Sequence, residues 1–154
     1  MKVLITDGNF KHTLASVRSL GKRGIDVTVL SNLRLSVSFY SKYCSKSVLA
    51  PNPEHDTAFA DFVYGLAKKE RFDVILPISY AAVDQLSWIQ GRLEPYIRVP
   101  LPDRASIELA GNKDRTMQLA ESIGIAIPKT YYPQSLEDAE RIAGSLSYPA
   151  VVKG

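Results

Sequence analysis

The chain has 154 residues, of which 45% are hydrophobic, 23% charged and 9% aromatic, as in one globular domain or one domain and part of a second. Lys and Arg number 19 against 16 Asp and Glu, a formal charge of +3. The cations form no block that would track a phosphate backbone, which argues against nucleic-acid binding. The single cysteine, Cys44, excludes an intrachain disulfide framework and a cysteine-rich zinc site.

Met1-Lys2-Val3-Leu4-Ile5-Thr6-Asp7 reaches an acid after three apolar residues, too short a run for a signal peptide or a membrane span, and no later run is long enough. The expectation is a cytoplasmic protein with no membrane partner. Val3-Leu4-Ile5 reads as a buried strand ending in the turn signal Asp7-Gly8-Asn9. Residues 12–23 place Leu14, Ala15, Val17, Arg18 and Leu20 at helical spacing, closed by Gly21 and Gly24. Val27–Leu30 is the next strand, ending at Ser31-Asn32. A polar, aromatic stretch over 38–44 leads to a short strand, Ser47–Ala50, stopped by Pro51-Asn52-Pro53. Asp56 or Thr57 caps a helix to about Glu70, with Phe59, Phe62, Val63, Leu66 and Ala67 on one face. Asp73–Ile78 is a further strand, Ser79 opens a helix to about Gly91, and Ile97–Val99 is a last short strand. Strand–helix units repeated in this way predict an α/β domain with a doubly wound, mostly parallel sheet.

Beyond Pro102 the pattern changes. Asp103 caps a helix over 104–110, Asn112 caps a second ending at Gly124, Ser135 opens a third over 136–146, and Tyr148–Lys153 reads as a strand. These elements do not extend the first sheet, so a boundary is expected near Ala110-Gly111, giving domains over 1–110 and 111–154. The chain ends in an apolar run that has only begun, as a piece of a longer protein would.

Several chemistries find no support in the spacing. The first turn has only one glycine of a G-x-G-x-x-G fingerprint, and Leu30-Ser31-Asn32 stands where a ribose-binding acid belongs. A nicotinamide or flavin dehydrogenase is thereby disfavoured, and Gly8 reads as a tight-turn glycine. His12 and His55 lack a second ligand at i+3 or i+4, and Cys44 lacks the setting of a nucleophile. A small-ligand crevice at the carboxyl edge of the sheet, built from Asp7, Gly8, Asn9, Ser31 and Ser79, remains.

Two lysines carry more information. Lys113 follows the cap Asn112, where a cation opposes the helix dipole by roughly 0.3–1 kcal/mol, partly offset by Asp114. It is either a solvated helix-end lysine or a partner of the helix N-terminus in holding a phosphate-like anion. Lys153 continues the apolar run Pro149-Ala150-Val151-Val152. Strand alternation puts it on the face of Val151 and favours an inward ammonium, unless the strand stops there and leaves it solvated.

The segments Asn112-Lys113-Asp114-Arg115-Thr116-Met117, Gly124-Ile125-Ala126-Ile127-Pro128-Lys129-Thr130 and Tyr148-Pro149-Ala150-Val151-Val152-Lys153-Gly154 together resemble the opening of an ATP-grasp domain. Ser16–Gly24 and Asp73–Pro77 with Ser79 are similar to the Rossmann-like pre-ATP-grasp domain that precedes it, in the carbamoyl-phosphate-synthase-like and amino-acid-ligase branch. The resemblance implies that Lys113 and Lys153 contact ATP phosphates. It implies an enzyme joining a carboxylate or bicarbonate to an amine or ammonia through an acyl phosphate, with the crevice binding the substrate. Where that branch often carries an acid after the fourth strand, this chain has Ser79-Tyr80-Ala81. The glycine-rich loop over the phosphates and the Glu and Asn residues that hold Mg²⁺ in the family are expected beyond residue 154, so these residues alone are expected not to catalyse. The alternative is a stand-alone α/β domain that binds a small ligand or dimerises.

Overall fold

The computed structural model describes residues 1–152; Lys153 and Gly154 lie outside the described residues. Four strands, β1 (Lys2–Ile5), β2 (Asp26–Ser31), β3 (Lys46–Leu49) and β4 (Val74–Leu76), form one parallel sheet in the order β3-β2-β1-β4. The register pairs Val3 with Val27 and with Val74 across the two central ladders. The α/β architecture expected from the alternating pattern is the one observed.

The sheet is covered on both faces, and the period of two along each strand assigns the coverings. Val3 and Ile5 of β1 and Val27 and Val29 of β2 are buried with Val17 of α1 (Lys11–Gly21). Leu4 and Leu30, one residue out of step, point the other way. They pack with Phe59, Val63 and Ala67 of α2 (Ala58–Lys69) and Ala82 and Leu86 of α3 (Tyr80–Trp88). Phe59, Val63 and Ala67 stand four residues apart, the spacing that keeps one helical face on the core. A short turn of helix, α4 (Gln90–Leu93), adds Leu93 to the same cluster.

The caps follow the sequence closely. Asp56 Oδ1 accepts from the Ala58 N–H, so Asp56, not Thr57, closes the start of α2. Ser79 Oγ accepts from Ala82 N at α3, and Asp103 Oδ1 from Ser106 N at α5 (Arg104–Gly111). Asn112 Oδ1 accepts from Arg115 N at α6 (Lys113–Ser122), and Ser135 Oγ from Asp138 N at α7 (Leu136–Ala143). Each satisfies an orphan donor of a first helical turn.

The chain divides into two compact units, Met1–Glu108 and a second beginning at Leu109. Every buried residue among those described lies in the first. In the second, α6 and α7 bury no residue, and Leu119, Ile123, Ile125 and Leu136 are exposed.

Two predicted strands are corrected. Ile97–Val99 contributes a single bridge, Arg98 to Val74, because the chain turns away at Pro100 after one pair of hydrogen bonds with Asp73 and Ile75. Tyr148–Val152 forms no strand: no ladder partner lies beside it among the described residues, and Val151 and Val152 are exposed.

Candidate substrate crevice

The carboxyl ends of β1, β2 and β4 converge on Asp7. Thr6, fully buried at the end of β1, donates its hydroxyl hydrogen to Asp7 Oδ2 and accepts from Ile78 N at 2.9 Å. Asp7 Oδ2 also accepts from Ser79 N at 3.0 Å, which ties the exit of β1 to the start of α3. The Asp7 carbonyl accepts from Phe10 N at 3.1 Å and from Thr13 Oγ1 at 2.7 Å, fixing the first turn of α1.

Asp7 holds φ at 57°, the left-handed region that aspartate tolerates better than most residues. This corrects the reading of Gly8. The tight-turn conformation belongs to Asp7, whereas Gly8 is required for close approach. A Cβ on Gly8 would lie 2.7 Å from Val29 Cγ1, 3.0 Å from Ser36 Oγ and 3.2 Å from the Leu30 carbonyl oxygen. Gly8 is pinned there by its N–H to Leu30 O (2.8 Å) and by Ser38 N to its own carbonyl (3.1 Å).

Ser31 is buried at the end of β2; its hydroxyl accepts from Leu33 N and its carbonyl from Ala50 N. Asp7, Ser31 and Asn32 form the polar side of a small cavity walled on the apolar side by Leu30, Pro51 and Phe59. Of the predicted crevice residues, Asp7 and Ser31 thus meet at one cavity. Ser79 reaches it through Asp7, Gly8 packs against β2, and half-buried Asn9 follows in the same loop. Thr6 and Thr13, which hold Asp7 in place, escaped the sequence reading. Their only signal was a hydroxyl residue at the end of an apolar strand and another on the first turn of a helix.

Cys44 is half-buried, and burial pushes its thiol above the usual value even as it donates to the Lys46 carbonyl, which suits a packing residue. His12 and His55 are exposed, and no group of three His, Cys, Asp or Glu side chains that could hold a metal ion occurs among the described residues. Among the same residues no helix is long and apolar enough to cross a membrane.

In the second unit, Lys113 is exposed in the first turn of α6 beside the Asn112 cap. The amide end of the helix and the ammonium both attract anions, which fits a phosphate group. The second lysine singled out, Lys153, lies outside the described residues.

A scan of the sequence against protein-family models and a search of curated proteins find no match. Solved structures do match. Glycinamide-RNase-transformylase T from Mycobacterium tuberculosis superposes with a TM-score of 0.71 at 13% identity, covering 97% of this chain and 40% of that one. An L-amino acid ligase from Bacillus licheniformis gives 0.69 at 19% identity, covering 96% and 34%. The biotin carboxylase domain dimer of the Hydrogenobacter thermophilus 2-oxoglutarate carboxylase, solved with MgADP, ADP and bicarbonate, gives 0.65 at 22% identity, covering 96% and 33%. These are ATP-grasp proteins, and the chain has the fold of their Rossmann-like N-terminal part. It spans between a third and two-fifths of their length.

Proposed function

We propose that this chain is the N-terminal part of an ATP-dependent ligase that joins a carboxylate, or bicarbonate, to an amine or ammonia through an acyl phosphate, in the carbamoyl-phosphate-synthase-like manner. The observation that carries the proposal is the fold match over nearly the whole chain to ATP-grasp ligases. ATP supplies the phosphoryl group that converts a poor leaving group into a good one. The tasks of this chain are binding and orientation. Lys113, and by resemblance Lys153, hold phosphate oxygens and offset their charge. Asp7, Gly8, Asn9, Ser31 and Ser79 bind the acceptor at the carboxyl edge of the sheet. A domain boundary near residues 110–111 separates the two tasks. The Mg²⁺ ligands belong to polypeptide outside these 154 residues, so the chain alone does not turn over ATP.

Calorimetric titration with Mg-ATP tests this reading. The 154-residue chain is expected to show no measurable binding, because two lysines without an enclosing loop make half a site. Tight stoichiometric binding would contradict the division of the site. In a longer polypeptide carrying the loop, Lys113→Met or Lys153→Met should weaken nucleotide affinity roughly tenfold, the scale of one lost charge-assisted hydrogen bond. Unchanged affinity removes that lysine from the site.

A further inference from the structure

Cations that look scattered along the sequence are gathered by α1. Residues 11–23 hold Lys11, Arg18, Lys22 and Arg23 and no Asp or Glu, while the other 15 Lys and Arg of the chain stand against 16 acids. The positive surplus therefore sits on one helix. At about 100° per residue, Lys11, Ala15, Arg18 and Lys22 fall within an arc of about 60°, on the side away from the buried Thr13 and Val17. Lys22, the C-cap, keeps helical dihedrals (φ −61°, ψ −22°) and so continues the row, which runs about 16 Å. All four of these residues are exposed, as are His12, Ser19 and Arg23 along its flank.

None of the four cations is ion-paired among the described residues. Arg23 Nη1 donates to the carbonyl and the hydroxyl of Ser19, at 3.0 and 2.7 Å. Helix stability does not account for the row. Cations near a C-terminus complement the helix dipole, which covers Arg18, Lys22 and Arg23. Lys11 stands in the first turn, where a cation opposes the dipole and no acid offsets it. Arg18 and Lys22 are like charges four residues apart, a spacing that destabilises a helix.

A face of one sign, bounded by the length of one helix, is complementary to a segment of opposite sign. Across a two-fold axis the row would meet its own like charges, which disfavours a second copy of the chain. The exposed residues of α1 include no apolar side chain larger than Ala15, so the face has nothing to insert into a lipid surface. A nucleic-acid strand would run past the row onto a surface with no surplus of cations. Ala15 and Ser19 are small and leave room for a partner backbone between the charges. We propose that the outer face of α1 docks an acidic segment of a partner protein, whose carboxylates, one or two helical turns apart, meet Lys11, Arg18 and Lys22. This interface is independent of the ligase reading.

The test is a titration of the ¹⁵N-labelled 154-residue chain, followed by amide chemical shifts. The probes are a four-turn helical peptide with Glu along one face, its Gln counterpart, and an oligothymidylate. The Glu peptide is expected to shift the amides of Lys11, Ala15, Arg18, Ser19 and Lys22 saturably, and the Gln peptide to leave them unmoved. Reversing Arg18→Glu together with Lys22→Glu should weaken the Glu peptide at least about tenfold. Lys69→Glu, at an exposed position of α2, should change its affinity less than about twofold. Added salt should weaken binding to the unaltered chain severalfold, a readout that needs no variant. No shift from the Glu peptide, or an equal loss from Lys69→Glu, would overturn the proposal. Tighter binding of the oligothymidylate at the same amides would make this a nucleic-acid face, and concentration-dependent shifts without any probe would assign it to a second copy; either result overturns the acidic protein partner.

Discussion

At the scale of single residues, the loop after β1 separates two effects that a count of glycines confuses. Gly24 has φ of +74° and nothing within 4 Å of a Cβ, so Gly24→Ala meets only backbone strain, on the order of 1–2 kcal/mol. Gly8 needs no positive φ, yet its Cβ would press on Val29 and on the Leu30 backbone. Gly8→Ala should therefore destabilise by about 1–3 kcal/mol and also disturb Asp7, because backbone and a buried valine must move. Urea unfolding of the two variants checks this. If Gly24→Ala alone disturbs the amides around Asp7, the packing account of Gly8 is wrong. The sequence identified Gly8 and Asp7 as a pair, but a left-handed aspartate beside a close-packed glycine looks the same in sequence as a glycine turn.

A second residue-scale effect lies at the other edge of the sheet. Lys46, followed by Lys2, hydrogen-bonds Glu70 and holds its carboxyl below the usual glutamate range. A depressed folded value means that this contribution is present above the unfolded glutamate pKa, near 4.3, and is lost as pH falls through the folded one. The pairs are partly exposed, so the contribution is at most about 1 kcal/mol. Glu70→Gln should flatten the acid limb of stability against pH and leave neutral-pH stability within that margin. An acid limb identical to that of the unaltered chain would show that Glu70 carries no such linkage.

At the scale of elements, α5 is secured by one arginine. Arg104 Nη1 lies 2.5 Å from Asp84 Oδ1 and 2.8 Å from Ser87 Oγ, its Nε donates to Glu108 Oε1 at 2.8 Å, and its guanidinium stacks 4.1 Å above the Trp88 ring. Asp84, Ser87 and Trp88 stand on the last two turns of α3, so a single side chain fastens two helices. Trp88 is the protein's only tryptophan. Arg104→Ala should change Trp88 emission and destabilise by about 1–2 kcal/mol, since a planar stacked guanidinium is not replaced by packing. An unchanged emission spectrum would remove the stacking contact from solution. Helix and strand order was readable in advance because the apolar period held along residues 1–93, helped by the caps at Asp56 and Ser79. The reading failed at Ile97–Val99, where the chain leaves the sheet after a single bridge to Val74, and at Tyr148–Val152, where an apolar run has the composition of a strand but no ladder partner among the described residues.

For the whole molecule, the contrast between the two units is one of burial. The first carries clusters on both faces of its sheet, whereas no described residue from 109 onward is buried. Stability follows buried apolar area, so amides of α6 and α7 should exchange with solvent at least about tenfold faster than those of β1 and β2. Equal protection throughout would contradict that ranking. The apolar residues left exposed on the second unit, Ile123, Ile125, Leu136, Val151 and Val152, agree with the proposal that an ATP-grasp domain begins here and is completed by further polypeptide. Of the candidate site, the sequence singled out Lys113 and Lys153 by resemblance and the crevice residues by their place at the carboxyl edge of the sheet; the structure brings Asp7 and Ser31 to one cavity, and Lys153 lies outside the described residues. The engagement of Asp7 Oδ2 by Thr6 and Ser79 was not legible, because it depends on the left-handed turn that brings the ends of β1 and β4 together. The measurement that bears most directly on the central claim is the mass of the polypeptide that the native reading frame encodes. The account predicts a continuation of roughly 150–250 residues with a glycine-rich loop and a Glu/Asn pair, the size of the missing domain. A natural product ending at Gly154 would contradict it.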